Sequence, residues 1–240
     1  TNVAYDGPAL KGAENVVLPG LDHRETSYHP IAFVHTYRFV TGDDPARTEI
    51  APEASVVLDG RITGFRGSDP TNLPLAGASI EIYETSALTG ERVGAAVHAK
   101  TVGADGQWGP FRAKPDVQYE FVVRAEGFAI AHIYRAPFPR SSNLIHFRPV
   151  RIADADKDAA SVVTMTRPRG YFGVGRDAMS LDGKSPPPGI PAGVAGVAAS
   201  KLKLNEPAER SVVAVFDQQR IVVRSWPLKE NRLVFAEFHY

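Results

Sequence analysis

Near the start of the sequence an acidic residue and a histidine, Asp22-His23, stand just after Pro19-Gly20. An imidazole titrates near neutrality, so a loop histidine can take a proton from a hydroxyl nucleophile and return it to a leaving group. Two more histidines follow at 29 and 35. Intervals of six do not place three side chains on one helical face, which argues against a three-histidine metal site. Asp154-Ala-Asp-Lys-Asp158 has the first three acidic positions of a calcium loop. Ala159 stands where such a loop needs glycine and Met165 where it needs glutamate, so the segment reads as a solvated acidic turn. Thr1 could act as a nucleophile with its own amine as base. However, Asn2-Val-Ala-Tyr5 offers no convincing strand to hold that terminus in a sheet. His23 is the residue best placed for chemistry.

The elements around it would have to deliver that imidazole. Val16-Val-Leu18 reads as a short buried strand, because a continuous apolar run suits a sheet covered on both faces. Pro19-Gly20 ends it. Pro30 fits a first helical turn, where its missing N–H costs nothing. Ile31, Val34, Tyr37 and Val40 recur at helical spacing, and Gly42 fits a left-handed C-cap. The unit is a strand, a turn carrying Asp22 and His23, and a helix, with Asp22 orienting the loop.

This unit resembles the last strand, catalytic-histidine loop and final helix of an α/β-hydrolase, most closely of bacterial and archaeal lipases. The resemblance covers residues 1–45. It implies that His23 is the general base of a Ser-Asp-His triad, in which chain order runs serine, acid, histidine. The sequence holds no G-x-S-x-G elbow. The nearest stretch, Gly77-Ala-Ser-Ile-Glu81, lacks the second glycine and lies in a strand pattern. No His-Gly-Gly oxyanion signature is present either. The resemblance therefore implies a partner: an N-terminal α/β-hydrolase segment carrying the serine and the aspartate, on the same precursor or as a separate chain. A start at Thr1 agrees with a processed or excised piece. No cofactor is implied, and the chain alone is expected to be inactive.

Residues 43–53 read as a polar bridge with two prolines, Pro45 and Pro52, and the linker is drawn at residues 46–54. From 55 to 151 strand patterns recur at intervals of roughly ten residues, as in a sandwich. Ala78-Ser-Ile-Glu-Ile-Tyr-Glu84 alternates strictly, and Asp105-Gly106 is a strong turn signal. This segment resembles a transthyretin-like or carboxypeptidase-regulatory-like β-sandwich. The residues that carry the resemblance are Val57-Leu-Asp-Gly60, Pro74-Leu-Ala-Gly-Ala-Ser-Ile-Glu-Ile-Tyr83, Ala104-Asp-Gly-Gln-Trp-Gly-Pro-Phe111, Tyr119-Glu-Phe-Val-Val123 and Glu126-Gly-Phe128. Residues 152–240 form a second β-rich region. Strands are expected at Ser161–Thr166, Tyr171–Asp177, Ser211–Phe216, Arg220–Trp226 and Arg232–Tyr240. The expected fold class is mainly β: two β-rich domains, the first a transthyretin-like sandwich, preceded by the last strand and helix of an α/β-hydrolase domain.

Lys+Arg and Asp+Glu are each 27, so the formal charge is zero and nucleic acid is not an expected partner. With no cysteine, disulfides and thiolate metal sites are excluded. No apolar run approaches the roughly 20 residues that span a bilayer, so no membrane span is expected. The aromatics Trp108, Phe111, Tyr119, Phe121, Phe128, Tyr134 and Phe138 read as sandwich interior. Ala136–Arg140 and the proline- and glycine-broken stretch 186–199 read as irregular apolar segments suited to a lipid or ester substrate. Phe138, Pro188, Ile190 and Val194 are the candidate substrate-binding residues. The expected function is the C-terminal portion of a lipase or carboxylesterase in a secreted or periplasmic bacterial setting. Two other readings stay open: a non-catalytic lipid- or carbohydrate-binding module, and an accessory domain without a ligand.

Overall fold

The computed structural model describes residues 9–193 and 196–239 of the 240-residue chain. Helix α1 (Pro30–Thr41) starts as the residue types dictate. The His29 ring nitrogen Nδ1 accepts the Ile31 N–H at 3.3 Å, and Pro30 fills the first turn. Gly42 closes the helix at φ 83°, its N–H donating to the Arg38 carbonyl at 2.8 Å. The expected strand at Val16–Leu18 is not formed. Those residues are irregular, and Val16 and Val17 are 46% and 52% exposed. A parallel-type strand needs neighbours on both edges and cover on both faces, and no described segment supplies them.

Among the described residues fourteen strands follow. The first eight are β1 (Val56–Arg66), β2 (Asp69–Pro74), β3 (Ser79–Thr85), β4 (His98–Thr101), β5 (Phe111–Ala113), β6 (Gln118–Arg124), β7 (Ile130–Arg135) and β8 (Ser142–Phe147). The remainder are β9 (Ser161–Thr166), β10 (Met179–Leu181), β11 (Ala199–Leu204), β12 (Ser211–Phe216), β13 (Gln219–Arg224) and β14 (Arg232–Glu237). The last two stop short of the expected ends at Trp226 and Tyr240. Tyr171–Asp177, expected as a strand, makes only an isolated bridge from Phe172 to Val197. Two glycines and an Arg176–Asp177 pair turn the chain there instead.

The strands form three layers. A seven-stranded sheet runs β11-β9-β14-β7-β6-β3-β4. One face of it carries a four-stranded sheet in which β1 pairs with β2, β5 and, in parallel, β8. The other face carries β10-β12-β13. Side-chain alternation on β7 serves both sides. Ala131 and Ile133 enter the first core, with Leu58, Ile62, Trp108, Phe121 and Phe147. Tyr134 enters the second, with Val163, Met165, Val212, Phe216 and Ile221. Trp108, Phe111, Tyr119, Phe121 and Phe138 thus fill the first core as expected, while Phe128 stacks on Phe65 at 5.9 Å, half-buried.

The sheet crosses the boundary drawn at residue 151. β14 pairs in parallel with β7 on one side and with β9 on the other. Gln118 on β6 adds a second seam. Its amide donates to the Val222 carbonyl at 2.7 Å and accepts the Val222 N–H at 3.1 Å, so a side chain imitates a ladder pair with β13. The loop after β3 packs on the same hairpin. Ser211 donates to the Thr89 carbonyl at 2.7 Å, and Gly90 lies against Val223 at φ 73°.

A Cβ on Gly90 would meet the Val223 carbonyl carbon at 2.6 Å, whereas one on Gly94, at φ 83°, meets nothing within 4 Å. Gly94→Ala is expected to cost about 1 kcal/mol, from backbone conformation alone. Gly90→Ala is expected to cost at least about twice that, because backbone must also move. Urea unfolding of the two variants checks the difference.

Candidate functional site

The loop that carries His23 is built by reciprocal hydrogen bonds. Asp22 Oδ1 accepts the N–H groups of Arg24 and Glu25 at 2.8 and 3.0 Å. Glu25 Oε2 in turn accepts the Asp22 N–H at 2.8 Å. This is capping-box chemistry at a D-x-x-E spacing, and it nucleates the 3-10 turn Glu25–Ser27. The loop is then fixed from a distance of some 145 residues in sequence. Asp22 Oδ2 accepts the Tyr171 N–H at 2.7 Å. Arg167 donates to Glu25 Oε1 at 2.9 Å, and Arg176 donates to Glu25 Oε2 at 2.9 Å. Asp22, Glu25 and Arg167 are all buried, at 6%, 8% and 3% exposure. Burial works against the charge on Arg176, but Asp177 and then Glu25 and Asp22 outweigh it and hold the guanidinium firmly protonated.

His23 itself points outward. It is exposed, and its ring makes no hydrogen bond among the described residues. Asp22 is committed to the loop backbone and the two arginines, which fits the expectation that it orients the loop. Around it residues 9–50 leave much apolar surface open. Ile31, Phe33, Phe39 and Val40 on α1 are 49%, 43%, 91% and 74% exposed.

The three candidate substrate residues that are described do not come together. Phe138 is buried in the first core, its ring 4.2 Å from that of His239 and edge-on to it. Ile190 is buried in the second core, and Pro188 is half-buried with its carbonyl accepting the Ser200 hydroxyl at 2.6 Å. Val194 lies outside the described residues, as does Thr1. The acidic turn at 154–158 is occupied by lysines: Lys157 on Asp154, Lys201 on Asp156 and Lys203 on Asp158, at 2.7, 2.5 and 2.9 Å. No group of three or more His, Asp or Glu suited to a metal occurs among the described residues. No helix among them is long and apolar enough to cross a membrane, which says nothing of a β-barrel.

A buried polar cluster that the sequence reading missed lies between the central sheet and β13. Glu120, fully buried, accepts Arg92 Nε at 2.5 Å and is 2.6 Å from His132 Nδ1. His132 stacks on Trp226 with centroids 5.0 Å apart. Burial lowers the His132 pKa more than Glu120 raises it, so the ring is the neutral tautomer donating from Nδ1. Burial raises the Glu120 pKa, yet bonds from His132 and Arg92 outweigh it and the carboxyl stays ionised. At the other side of the central sheet, burial and then Arg135 push His239 down to about 4.

Residues 54–152 match the family model described as "Lipase C-terminal domain". That span coincides with the segment compared above to transthyretin-like sandwiches. Among curated proteins, no sequence matches significantly. A shaft pilin SpaA from Lactobacillus rhamnosus GG is similar at 12% identity and TM-score 0.29, with 76% of this chain and 96% of the pilin covered. A DUF3823 family protein from Parabacteroides merdae gives 15% identity and TM-score 0.28, covering 74% of this chain and all, 100%, of that one. A fimbrial protein from Bacteroides ovatus gives 11% and 0.23, covering 80% and 51%. These scores are too low to fix a relationship.

Arg167→Ala would leave Asp22 and Glu25 buried with Arg176 as their one remaining guanidinium. The expected cost is about 3 kcal/mol, with new protease cleavage confined to residues 20–28, read by urea unfolding and limited proteolysis. A pH test follows from the histidines. A folded pKa below the unfolded value near 6.5 means that the unfolded chain binds more protons as pH falls. Stability is therefore complete above about pH 6.5 and declines through about 4. For His239 the loss is on the order of 3 kcal/mol over that window. Unfolding midpoints at pH 7.5, 5.5 and 4.5 check the slope, and His239→Phe should flatten it.

Proposed function

We propose that this chain is the C-terminal portion of a lipase or carboxylesterase. One observation carries the reading: the lipase C-terminal family match over residues 54–152 follows directly on a segment whose apolar face is open. In this reading Val16–Leu18 becomes the last strand of an α/β-hydrolase sheet when its neighbours are present, and α1 covers that sheet with Ile31, Phe33, Phe39 and Val40. His23 serves as general base. It accepts the serine proton during attack on the ester carbonyl and returns it to the leaving alcohol. The serine and aspartate come from an α/β-hydrolase segment outside this sequence, and the β-rich remainder recognises acyl chains or a polyester. Absence of cysteine, and of a spanning helix among the described residues, is compatible with the secreted or periplasmic setting proposed here.

The ionic clamp supports this reading. A general base is useful only if its loop returns to one place, and Asp22 and Glu25 tie that loop to Arg167 and Arg176. A second reading, a lipid- or carbohydrate-binding module without catalysis, is favoured by one feature: the His23 ring has no carboxylate partner among the described residues.

The test is recombination. The chain is mixed with an α/β-hydrolase segment of matching family and assayed on a chromogenic acyl ester. Hydrolysis is expected only in the mixture, and His23→Ala is expected to lower kcat by roughly 10⁴-fold or more with little change in KM. Equal activity of His23→Ala and the unaltered chain would remove the catalytic role. Lipid binding that survives deletion of 1–42, without any hydrolysis in the mixture, would favour the module.

A further inference from the structure

At the open end of the first core, a groove of about 530 Å³ lies between β8 and the turn at 168–169. Its polar groups are unusual for a chain of zero net charge. Arg135 projects into it from β7 and is 8% exposed. Its Nη2 contacts Glu237, and its Nε is buried without a hydrogen-bond partner. Arg148 Nε, also buried, is without one too, while its Nη2 donates to the Thr71 carbonyl at 2.8 Å. Thr63, fully buried, lines the groove with its hydroxyl unpartnered. Arg169 stands exposed at the mouth and makes no ion pair among the described residues. Arg140, at the far rim, is offset by Glu53 at 3.2 Å.

Three guanidiniums, Arg135, Arg148 and Arg169, therefore face one carboxylate, Glu237. The two histidines in the groove do not add carboxylate-like relief. Burial and neighbouring arginines lower both His146 and His239, which keeps them neutral at pH 7. Burial and then Arg169 press Arg135 itself down to about 9. His146, His239 and Arg135 each lie next to at least one arginine that disfavours added positive charge. Beside Glu237, which Arg135 already pairs, the buried donors Thr63 Oγ1, Arg135 Nε and Arg148 Nε have no acceptor, and they mark where one would sit. The rest of the wall is apolar. Phe138, Ile145 and Phe238 are buried, and Leu144 is 70% exposed at the lip. A second hollow continues the groove through Arg148, Pro168 and Glu237 to Arg24, the residue after His23.

We propose that this groove binds the carboxylate of a medium- or long-chain fatty acid. The headgroup lies among Arg135, Arg148, Arg169 and the Thr63 hydroxyl, and the chain lies along Phe138 and Leu144. A fatty-acid carboxylate is what ester hydrolysis of a lipid leaves behind, so the site would hold product. The proposal rests on the lipid reading above for its tail; the anion site rests on the groove alone.

The full chain is titrated calorimetrically with decanoate, decanol and inorganic phosphate. Decanoate is expected to bind at least tenfold more tightly than either of the others, and to weaken as NaCl rises from 50 to 500 mM. Arg169→Ala, at an exposed position, is expected to weaken decanoate about tenfold and leave decanol unchanged. Thr63→Val, which keeps the buried shape, is expected to weaken it about fivefold. Equal affinity for decanoate and decanol would overturn the carboxylate site while leaving the lipid reading standing. Phosphate binding as tightly as decanoate would overturn the tail. Binding of none of the three would overturn the proposal and the lipid reading of these residues together. Decanoate binding untouched by either substitution would place the acid elsewhere.

Discussion

The parallel insertion of β14 between β7 and β9 is the contact on which the other contacts depend. A strand in that position must be apolar on both sides. Val234 and Ala236 face the second core, while Leu233 and Phe235 face the opposite side. Without β14 the sheet would split into two edges, each exposing unpaired backbone groups, and the two cores would lose their common wall. The chain thus joins its two β-rich halves through main-chain hydrogen bonds rather than through a surface of side chains. Gln118, bonded to Val222 by both amide atoms, and Gly90, pressed on Val223, reinforce the same seam.

Charge is distributed with similar economy. Equal numbers of acidic and basic residues are segregated into sites of opposite purpose. In the clamp under His23, three carboxylates, Asp22, Glu25 and Asp177, meet two arginines, and the buried charges have partners of opposite sign. At the groove by β8, arginines outnumber carboxylates and buried donors are left open. Satisfied networks fix shape, and unsatisfied ones cost stability unless a ligand completes them. That contrast separates the positioning role of the first site from the binding role proposed for the second. The hollow that runs from the groove to Arg24 brings the two within one continuous surface.

Local signals in the sequence were legible where one residue type answers one backbone need. Pro30 opens α1 and Gly42 closes it at positive φ. Ser161–Thr166 and Ser211–Phe216 are strands with the ends expected, because both are dense in β-branched residues bounded by polar turns. The Asp22–Glu25 spacing was a capping-box signal that the sequence reading passed over. Val16–Leu18 shows the reverse case. Its composition suits a buried strand, yet composition cannot provide the neighbours that pair with it, and the segment stays irregular with Val16 and Val17 exposed.

By itself, then, the sequence determined a β-rich chain, one capped helix, an aromatic interior around Trp108 and Phe121, and a histidine on a turn. Each of these depends on residues close together along the chain, where periodicity and turn chemistry act. Tertiary structure alone decided that Arg167 and Arg176 hold the His23 loop, that Ile190 and Phe138 belong to different cores, and that Thr63 and Arg135 share one groove. Those pairings join positions tens to more than a hundred residues apart. Their geometry is set by strand order in the central sheet, which no local pattern of residue types encodes.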